Sequence, residues 1–275
     1  MHQGTLASGD SLIPILEISQ PEEIYHLGGI SFVGKSFSHP ELISNVTGLG
    51  TLRLLESIRT VLSGLKVKIY NASSSEIFGT PQEEYQHENS RHNPSSPYGV
   101  AKTFGFLSCA NYRDTYSMFV SSGILFNHES EIRDYIYVTR KITSNVARIA
   151  LGMQERFSLG DLSPRRDWGY AGDYVKAMWL MLQQDNPEDY VISTGVTHSV
   201  ADFVSTSLKS AGLSDDIEKY VDFDPQLKRP KDLKYLVGDS TKAKKQLGWQ
   251  PEIDFTSLVQ LMVANDLKIE SQRKN

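Results

Sequence analysis

A tyrosine and a lysine four residues apart, Tyr98 and Lys102, are the residues of this sequence best suited to acid–base chemistry. On an α-helix, that spacing places both side chains on one face. An ammonium group beside a phenol favours the phenolate and lowers the tyrosine pKa toward neutrality. Such a phenolate can accept the proton of a sugar hydroxyl while a nicotinamide takes the hydride. The pair predicts an oxidation step on an alcohol, although the same spacing also arises by chance.

A serine-rich turn upstream strengthens this interpretation. Ser73, Ser74 and Ser75 follow an apolar run, and Glu76 comes directly after them. A hydroxyl at the carboxyl end of a parallel strand lies where open α/β sheets bind ligands. Ser74 could hydrogen-bond the oxygen that is oxidised, and Glu76 could act as an acid or base. The alternative is a capped loop with a solvated carboxylate, but the nearby Tyr98 pair favours a site.

The elements that must position these residues alternate between strand and helix patterns. The pattern predicts strands at 23–27, 67–72, 118–126 and 190–193, and helices at 45–61, 98–116, 138–151, 170–184 and 198–211. Strands that alternate with helices are typical of a parallel sheet wrapped by helices. We therefore predict an α/β fold.

Composition narrows the class of protein further. The 275 residues are 39% hydrophobic and 22% charged, as in ordinary globular proteins, and the net charge of −5 argues against nucleic acid or an anionic membrane as partner. No apolar run approaches the roughly 20 residues of a membrane span. The single cysteine, Cys109, is predicted to be a buried packing thiol. We expect a cytoplasmic protein with no metal site.

Longer motifs extend over most of the chain. Ser-Ser-Ser-Glu (73–76), Ser-Pro-Tyr-Gly-Val-Ala-Lys (96–102) and Ile-Leu-Phe-Asn-His-Glu-Ser (124–130) together resemble the extended short-chain dehydrogenase/reductase family of nucleotide-sugar enzymes. Five further motifs resemble the GDP-mannose 4,6-dehydratase family in particular: Val-Thr-Arg-Lys-Ile (138–142), Arg-Arg-Asp-Trp-Gly-Tyr-Ala (165–171), Ala-Met-Trp-Leu-Met-Leu-Gln (177–183), Gly-Asp-Ser-Thr-Lys-Ala-Lys (238–244) and Leu-Gly-Trp-Gln-Pro (247–251). The resemblance implies a Rossmann-like, doubly wound parallel sheet with a smaller mixed C-terminal substrate-binding part.

The resemblance also implies a cofactor, NADP, a substrate, GDP-mannose, and a homo-oligomer, either a dimer or a tetramer. The catalytic set carries over to Ser74, where the family usually has threonine, and to Glu76, Tyr98 and Lys102. Besides Tyr98 and Lys102, the cofactor-binding residues would be Leu27, Ser31 and His128. The substrate-binding residues would be Ser31, Asn127, Arg140, Lys141, Arg166, Arg229 and Asp232, with Asp232 replacing a family glutamate.

The implied reaction is an internal redox cycle that dehydrates GDP-mannose to GDP-4-keto-6-deoxymannose, a step toward GDP-fucose. Tyr98 would take the C-4 hydroxyl proton as hydride passes from C-4 to NADP. Glu76 would then remove the acidified C-5 proton, water would leave from C-6, and the hydride would return to C-6. The protein positions the groups, while the cofactor carries the hydride.

The sequence departs from the family pattern in the region that should bind the dinucleotide. It contains no Gly-x-x-Gly-x-x-Gly turn, the motif that places a helix N-terminus on a pyrophosphate. We therefore expect the sheet to lack its first βαβ unit and NADP to bind weakly. Smaller departures are Thr5 for aspartate, Ile30 for glutamine, Phe32 for histidine, Ser95 for arginine and Asp134 for glycine.

Two classes of function therefore remain open. The first is a dehydratase, and the second is a catalytically impaired relative that binds a GDP-sugar or a homologous subunit. Within the enzyme class, another nucleotide-sugar dehydratase or an epimerase is the alternative. In either case we predict a partial NADP-binding Rossmann-like domain at residues 1–130. Residues 131–275 are predicted to be mostly substrate-binding, interleaved with late Rossmann elements.

Overall fold

The computed structural model describes residues 1–227 and 233–274. Its α-helices are α1 (Ile13–Ser19), α2 (Val33–Ser36), α3 (Pro40–Ile43), α4 (Leu49–Val61), α5 (Pro97–Tyr116), α6 (Val138–Ala150), α7 (Ala171–Leu182), α8 (Val200–Ser210), α9 (Ile217–Tyr220), α10 (Thr241–Leu247) and α11 (Phe255–Lys274). Its strands are β1 (Glu23–His26), β2 (Lys68–Ala72), β3 (Phe119–Leu125), β4 (Asn127–Glu129), β5 (Phe157–Leu159), β6 (Arg165–Arg166), β7 (Trp168–Tyr170), β8 (Tyr190–Ile192), β9 (His198–Ser199) and β10 (Val221–Phe223). Short 3-10 turns occupy Gly9–Ser11, Ser75–Ile77 and Pro225–Leu227, and one π-helical turn occupies Ser44–Gly48.

The chain divides into two compact units, each built from three separate segments. Unit 1 comprises Met1–Leu125, Val175–Ile192 and Asp239–Trp249, and unit 2 comprises Phe126–Tyr174, Ser193–Gly238 and Gln250–Asn275. The predicted boundary at residue 130 lies close to the first crossing, but the later segments alternate between the units. The assignment of cofactor and substrate binding to the two parts stays a prediction.

Unit 1 contains a four-stranded sheet in the order β1-β2-β3-β8, with every pair parallel. His26 aligns with Asn71, and Ala72 aligns with Gly123, so the carboxyl ends of β1, β2 and β3 lie along one edge. We call this the carboxyl edge of the sheet. The parallel α/β fold predicted from the alternating pattern is confirmed.

Helices α4 and α5 fix one face of that sheet. Leu54, Leu55 and Ile58 of α4 pack with Ile69 of β2 and Val120 of β3 in one buried cluster. Apolar residues at helical spacing on α4 give it a stripe that must be buried, and the alternate positions of the strands supply the opposing surface. Cys109 belongs to this cluster and is 1% exposed, which confirms it as a packing thiol.

Unit 2 is formed around helices α6, α8 and α11 and three two-stranded ladders, of which β4–β7 and β5–β10 are parallel and β6–β9 is antiparallel. Trp168, Phe203 and Met262 lie in its core. Helix α8 begins with a capping box in which the Ser199 and Asp202 side chains each accept the other residue's backbone N–H. Asp167 is also structural, because its carboxylate accepts N–H groups from Thr194 and Gly195 at 2.8 Å.

Candidate active site

The turn after β2 carries the first two predicted catalytic residues. Ser74 has extended backbone and caps the 3-10 turn Ser75–Ile77, because its hydroxyl accepts the Glu76 N–H at 3.2 Å. The chain thus leaves the sheet at Ala72 and turns immediately, which keeps Ser74 and Glu76 at the carboxyl edge. Both side chains are only partly buried. The capping alternative is therefore true of Ser74, and it places the hydroxyl beside the edge rather than away from it.

The first turn of α5 is joined to this segment by Ser96. Its hydroxyl caps α5 by accepting the Gly99 N–H at 3.0 Å and donates to Glu76 Oε2 at 3.4 Å. Gly99 permits the close approach of the two segments, since a Cβ there would lie 2.6 Å from the Glu76 carbonyl oxygen. The cap and the glycine together fix Glu76 next to the start of the helix that carries Tyr98. Sequence reasoning assigned no role to Ser96, although a serine before a helix-starting proline is a capping signal.

Lys102 connects α5 to the end of β2. Its Nζ donates to the Ala72 carbonyl at 2.7 Å and lies 5.9 Å from the centre of the Tyr98 ring. Desolvation by burial lowers the Lys102 pKa to about 8, which still leaves most of the side chain protonated at neutral pH. Tyr98 is 7% exposed and packs with Ile43 and Ala101. The structure therefore brings Ser74, Glu76, Tyr98 and Lys102 together within unit 1.

Two predicted cofactor-binding residues follow β1 at the same edge. Leu27 directly follows the strand and is 57% exposed. Ser31 lies two residues before the start of α2 and is also exposed. Their predicted roles stay predictions, and their positions at the edge are compatible with them.

Two further predicted ligands, Asn127 and His128, lie in β4 of unit 2. Asn127 is half-buried and aligns with Trp168 of β7. The His128 Nδ1 donates to the Phe126 carbonyl at 2.9 Å, and its ring stacks on Tyr174 at 4.8 Å. Burial lowers the His128 pKa to about 4, so this imidazole is neutral at physiological pH. It can therefore offer Nε2 as an acceptor but carries no charge for a phosphate.

Arg140, which is predicted to contact the substrate, is buried and bonded to other groups of the protein. Its guanidinium is 4% exposed, and Nε forms an ion pair with Asp266 at 2.8 Å. The remaining nitrogens donate to the carbonyls of Glu131 and Arg133 and to the Tyr135 hydroxyl. A guanidinium whose donors are used inside the protein fixes helix α6 to α11. The predicted substrate contact of Arg140 stays a prediction, and this geometry gives the residue a structural role.

The other predicted substrate-binding residues are Lys141, Arg166, Arg229 and Asp232. Lys141 is half-buried on α6, where its carbonyl accepts the Asn145 side chain at 2.7 Å. Arg166 is buried in β6 and donates to the Leu233 carbonyl at 2.6 Å. Arg229 and Asp232 lie outside the described residues. All four stay predictions as substrate contacts.

In residues 1–227 and 233–274, no three His, Cys, Asp or Glu side chains are grouped so that they could hold a metal ion. Within the same ranges, no helix has the length and apolar character needed to cross a membrane.

Comparison with known proteins gives consistent matches. The sequence matches the family model described as GDP-mannose 4,6 dehydratase over residues 1–262. It is 43% identical over 299 residues to the GDP-mannose 4,6-dehydratase of Yersinia enterocolitica, an alignment that covers 99% of this chain and 80% of the relative. It is also 43% identical to the human GDP-mannose 4,6 dehydratase over 290 residues, with 100% and 78% covered. A solved structure of RMD from Pseudomonas aeruginosa, complexed with NADPH, matches with a TM-score of 0.87 at 22% identity, covers 98% of this chain and 88% of that chain, and shows the fold.

Proposed function

This chain belongs to the GDP-mannose 4,6-dehydratase family, and we propose that it dehydrates GDP-mannose to GDP-4-keto-6-deoxymannose through an internal NADP hydride cycle. One observation carries the proposal. Lys102 is hydrogen-bonded to the last carbonyl of β2, so that Tyr98, one helical turn before it, lies beside the turn of Ser74 and Glu76. A base, an acid or second base and a hydroxyl donor are thus grouped at the edge where parallel sheets bind ligands.

The residues at this edge fit the nicotinamide end of NADP. The Lys102 ammonium has three N–H donors, of which Ala72 accepts one, so donors remain for ribose hydroxyls. Exposed Leu27 and Ser31 offer an apolar and a polar contact at the same edge. Bound there, NADP would supply the hydride transfer, from C-4 of the sugar and back to C-6. We assign no residue of this chain to the pyrophosphate.

Two side chains, Tyr98 and Glu76, carry out the proton transfers. Tyr98 accepts the C-4 hydroxyl proton, aided by the cation of Lys102, and Ser74 hydrogen-bonds the same oxygen. The resulting 4-keto group acidifies the C-5 proton, which Glu76 removes and which leaves with the C-6 hydroxyl as water. The proton held by Tyr98 then goes to C-5 while C-6 receives the hydride, which completes the product and restores the base. Ser96 keeps Glu76 close to Tyr98 through its 3.4 Å hydrogen bond. Asn127, Lys141 and Arg166 are proposed to hold the GDP-sugar.

The test is turnover of GDP-mannose by the purified chain with added NADP. We expect a 4-keto-6-deoxy product with no net reduction of NADP, because the hydride returns to the sugar. Incubation with UDP-glucose and dTDP-glucose distinguishes the related nucleotide-sugar dehydratases and epimerases, for which we expect no product. Turnover of either of these sugars but not GDP-mannose would reject the proposed substrate.

A second candidate is a catalytically impaired relative that binds a GDP-sugar or a homologous subunit. The sequence has no Gly-x-x-Gly-x-x-Gly turn, and β1 pairs on one side only among the described strands. An unpaired strand edge is a template for another polypeptide. Titration with NADPH separates the candidates, since micromolar affinity of the chain alone favours the enzyme and absent binding favours the impaired relative.

We also propose that the protein works as a homo-oligomer in the cytoplasm. Val100, Phe104 and Leu107 of α5 are 53%, 42% and 54% exposed and recur at a spacing that places them on one helix face. Exposed apolar residues grouped in this way are typical of association surfaces. Sedimentation analysis tests this, with a monomer at micromolar concentration as the contrary result.

A further inference from the structure

One turn of π-helix, Ser44–Gly48, joins α3 to α4. Such turns are rare and occur often at functional sites. Thr47 lies in this turn and is 1% exposed, so its hydroxyl and carbonyl need partners inside the protein. The hydroxyl and the carbonyl of Thr47 are each hydrogen-bonded to a residue near the proposed active site.

The hydroxyl of Thr47 holds the loop that follows β1. Thr47 Oγ1 accepts the Ile30 N–H at 3.0 Å. Gly29 packs on the same side chain, since a Cβ there would lie 3.4 Å from both the methyl and the hydroxyl of Thr47. The loop therefore rests on Thr47 immediately before Ser31, the residue predicted to contact cofactor and substrate.

The carbonyl of Thr47 is tied to the end of β1 through a second threonine. Thr51 Oγ1 donates to the Thr47 carbonyl at 3.0 Å, which uses its only hydrogen. His26 Nε2 lies 3.0 Å from the same Thr51 oxygen and must therefore be the donor. Burial lowers the His26 pKa to about 4, so the neutral tautomer with hydrogen on Nε2 is the form present at neutral pH.

The same turn packs on the helix that carries Tyr98. A Cβ on Gly48 would lie 3.4 Å from the Ala101 carbonyl oxygen, and a Cβ on Gly105 would lie 3.1 Å from Thr51 Oγ1. The Ile30 side chain packs against the cluster of Ile43, Tyr98 and Ala101. The π-helical turn thus lies between the loop after β1 and α5. It forms a hydrogen bond with the loop and packs closely on the helix.

We infer that Thr47 is a positioning residue, whose hydroxyl fixes the Gly29–Ser31 loop against Tyr98 so that substrate bound at the loop meets the catalytic base. The inference rests on the proposed function. Reacting groups misplaced by about 1 Å can lose about 100-fold in rate. Loss of the hydroxyl leaves the Ile30 N–H without its acceptor, so the loop opens and its distance from Tyr98 is no longer fixed.

The experiment compares three variants of the full chain. Thr47→Val keeps the shape of the side chain and removes the hydroxyl, and Thr47→Ser keeps the hydroxyl. Thr60→Val is the matched control, because Thr60 is exposed on α4 and its hydroxyl donates to the Glu56 carbonyl of its own helix at 2.9 Å. For each, kcat and KM for GDP-mannose, the melting temperature and amide hydrogen exchange at residues 27–31 and 97–102 are measured.

In Thr47→Val, we expect kcat to fall at least tenfold, a change larger than that in KM, and the Ile30 amide to exchange at least tenfold faster. In Thr47→Ser and Thr60→Val, both quantities should stay within about twofold of the wild type. A fall in melting temperature alone, with kcat and Ile30 exchange unchanged, would overturn the inference, because it describes a purely structural residue.

The outcomes also separate this inference from the proposed function. If the wild-type chain does not turn over GDP-mannose, the proposed function fails, and equal Ile30 exchange in wild type and Thr47→Val would overturn the positioning role independently. If Thr47→Val does not fold, Thr47→Ser decides. Retained kcat and slow Ile30 exchange in Thr47→Ser support the role of the hydroxyl, and loss of either rejects it.

Discussion

Replacing Lys102 with methionine should remove a pH-dependent part of the free energy of unfolding. Desolvation lowers the Lys102 pKa from its ordinary 10.5 to about 8, so the folded chain binds this proton less tightly than the unfolded chain does. At neutral pH both states hold the proton, and the folded state bears the desolvation cost of this partly buried cation. That cost corresponds to about 3 kcal/mol, at roughly 1.4 kcal/mol for each unit of pKa.

The sign follows from the number of protons bound. Between about pH 8 and 10.5 the unfolded chain holds one more proton at Lys102 than the folded chain, so the free energy of unfolding rises with pH through this window. Relative to Lys102→Met, the wild type should gain about 2 to 3 kcal/mol between pH 7 and pH 10. The hydrogen bond to Ala72 that methionine loses contributes a constant difference over the lower part of this range, where the ammonium persists.

Urea unfolding of both proteins at intervals between pH 7 and pH 10 measures the difference. Lys66→Met is the matched control, since Lys66 is exposed and should leave the pH dependence as in the wild type. A difference between wild type and Lys102→Met that stays constant over this range would refute the reasoning. The variant should also lose most turnover, which would explain why a costly cation is kept.

The remaining predictions concern four other side chains. Tyr98→Phe should lower kcat by about 100-fold or more with GDP-mannose affinity unchanged in calorimetry, and unchanged turnover would reject Tyr98 as the base. Arg140→Ala should lower the free energy of unfolding by about 3 to 5 kcal/mol in urea, whereas wild-type stability with a raised KM would assign Arg140 to the substrate. Ser96→Ala should cost about 1 kcal/mol of stability in the same assay and lower kcat, and no change in either would remove its capping role. Phe104→Glu should shift the sedimentation coefficient toward that of a monomer, and an unchanged coefficient would exclude this face of α5 from the interface.

The local patterns of the sequence predicted the elements well. Tyr98 and Lys102 share a helix face because their spacing is a property of the helix, and Ser74 lies at a strand end because an apolar run stops there. The helix predicted at 45–61 was less complete, since helical backbone begins at Pro40 and includes the π-helical turn. Nothing in the local pattern indicates the π-helical turn, which is stabilised by contacts with the loop after β1 and with α5.

The partners of buried polar groups were the part that local patterns could not supply. Arg140 looks like a surface cation in sequence, but its partner Asp266 is 126 residues away. Likewise, the contact of His26 with Thr51 and that of Ile30 with Thr47 join separate elements. Pairs of this kind depend on the tertiary fold, and a single sequence does not reveal them.

Because unit 1 consists of three separate segments of the chain, its sheet can be completed only late in synthesis on the ribosome. Strand β3 ends at Leu125, but β8, which pairs with it, begins 65 positions later at Tyr190. At about 5 to 20 residues per second, the outer edge of β3 stays open for roughly 3 to 13 seconds during synthesis. The last segment of the unit, Asp239–Trp249, is synthesised later still. The nascent chain therefore presents an unpaired strand edge for seconds before β8 can cover it.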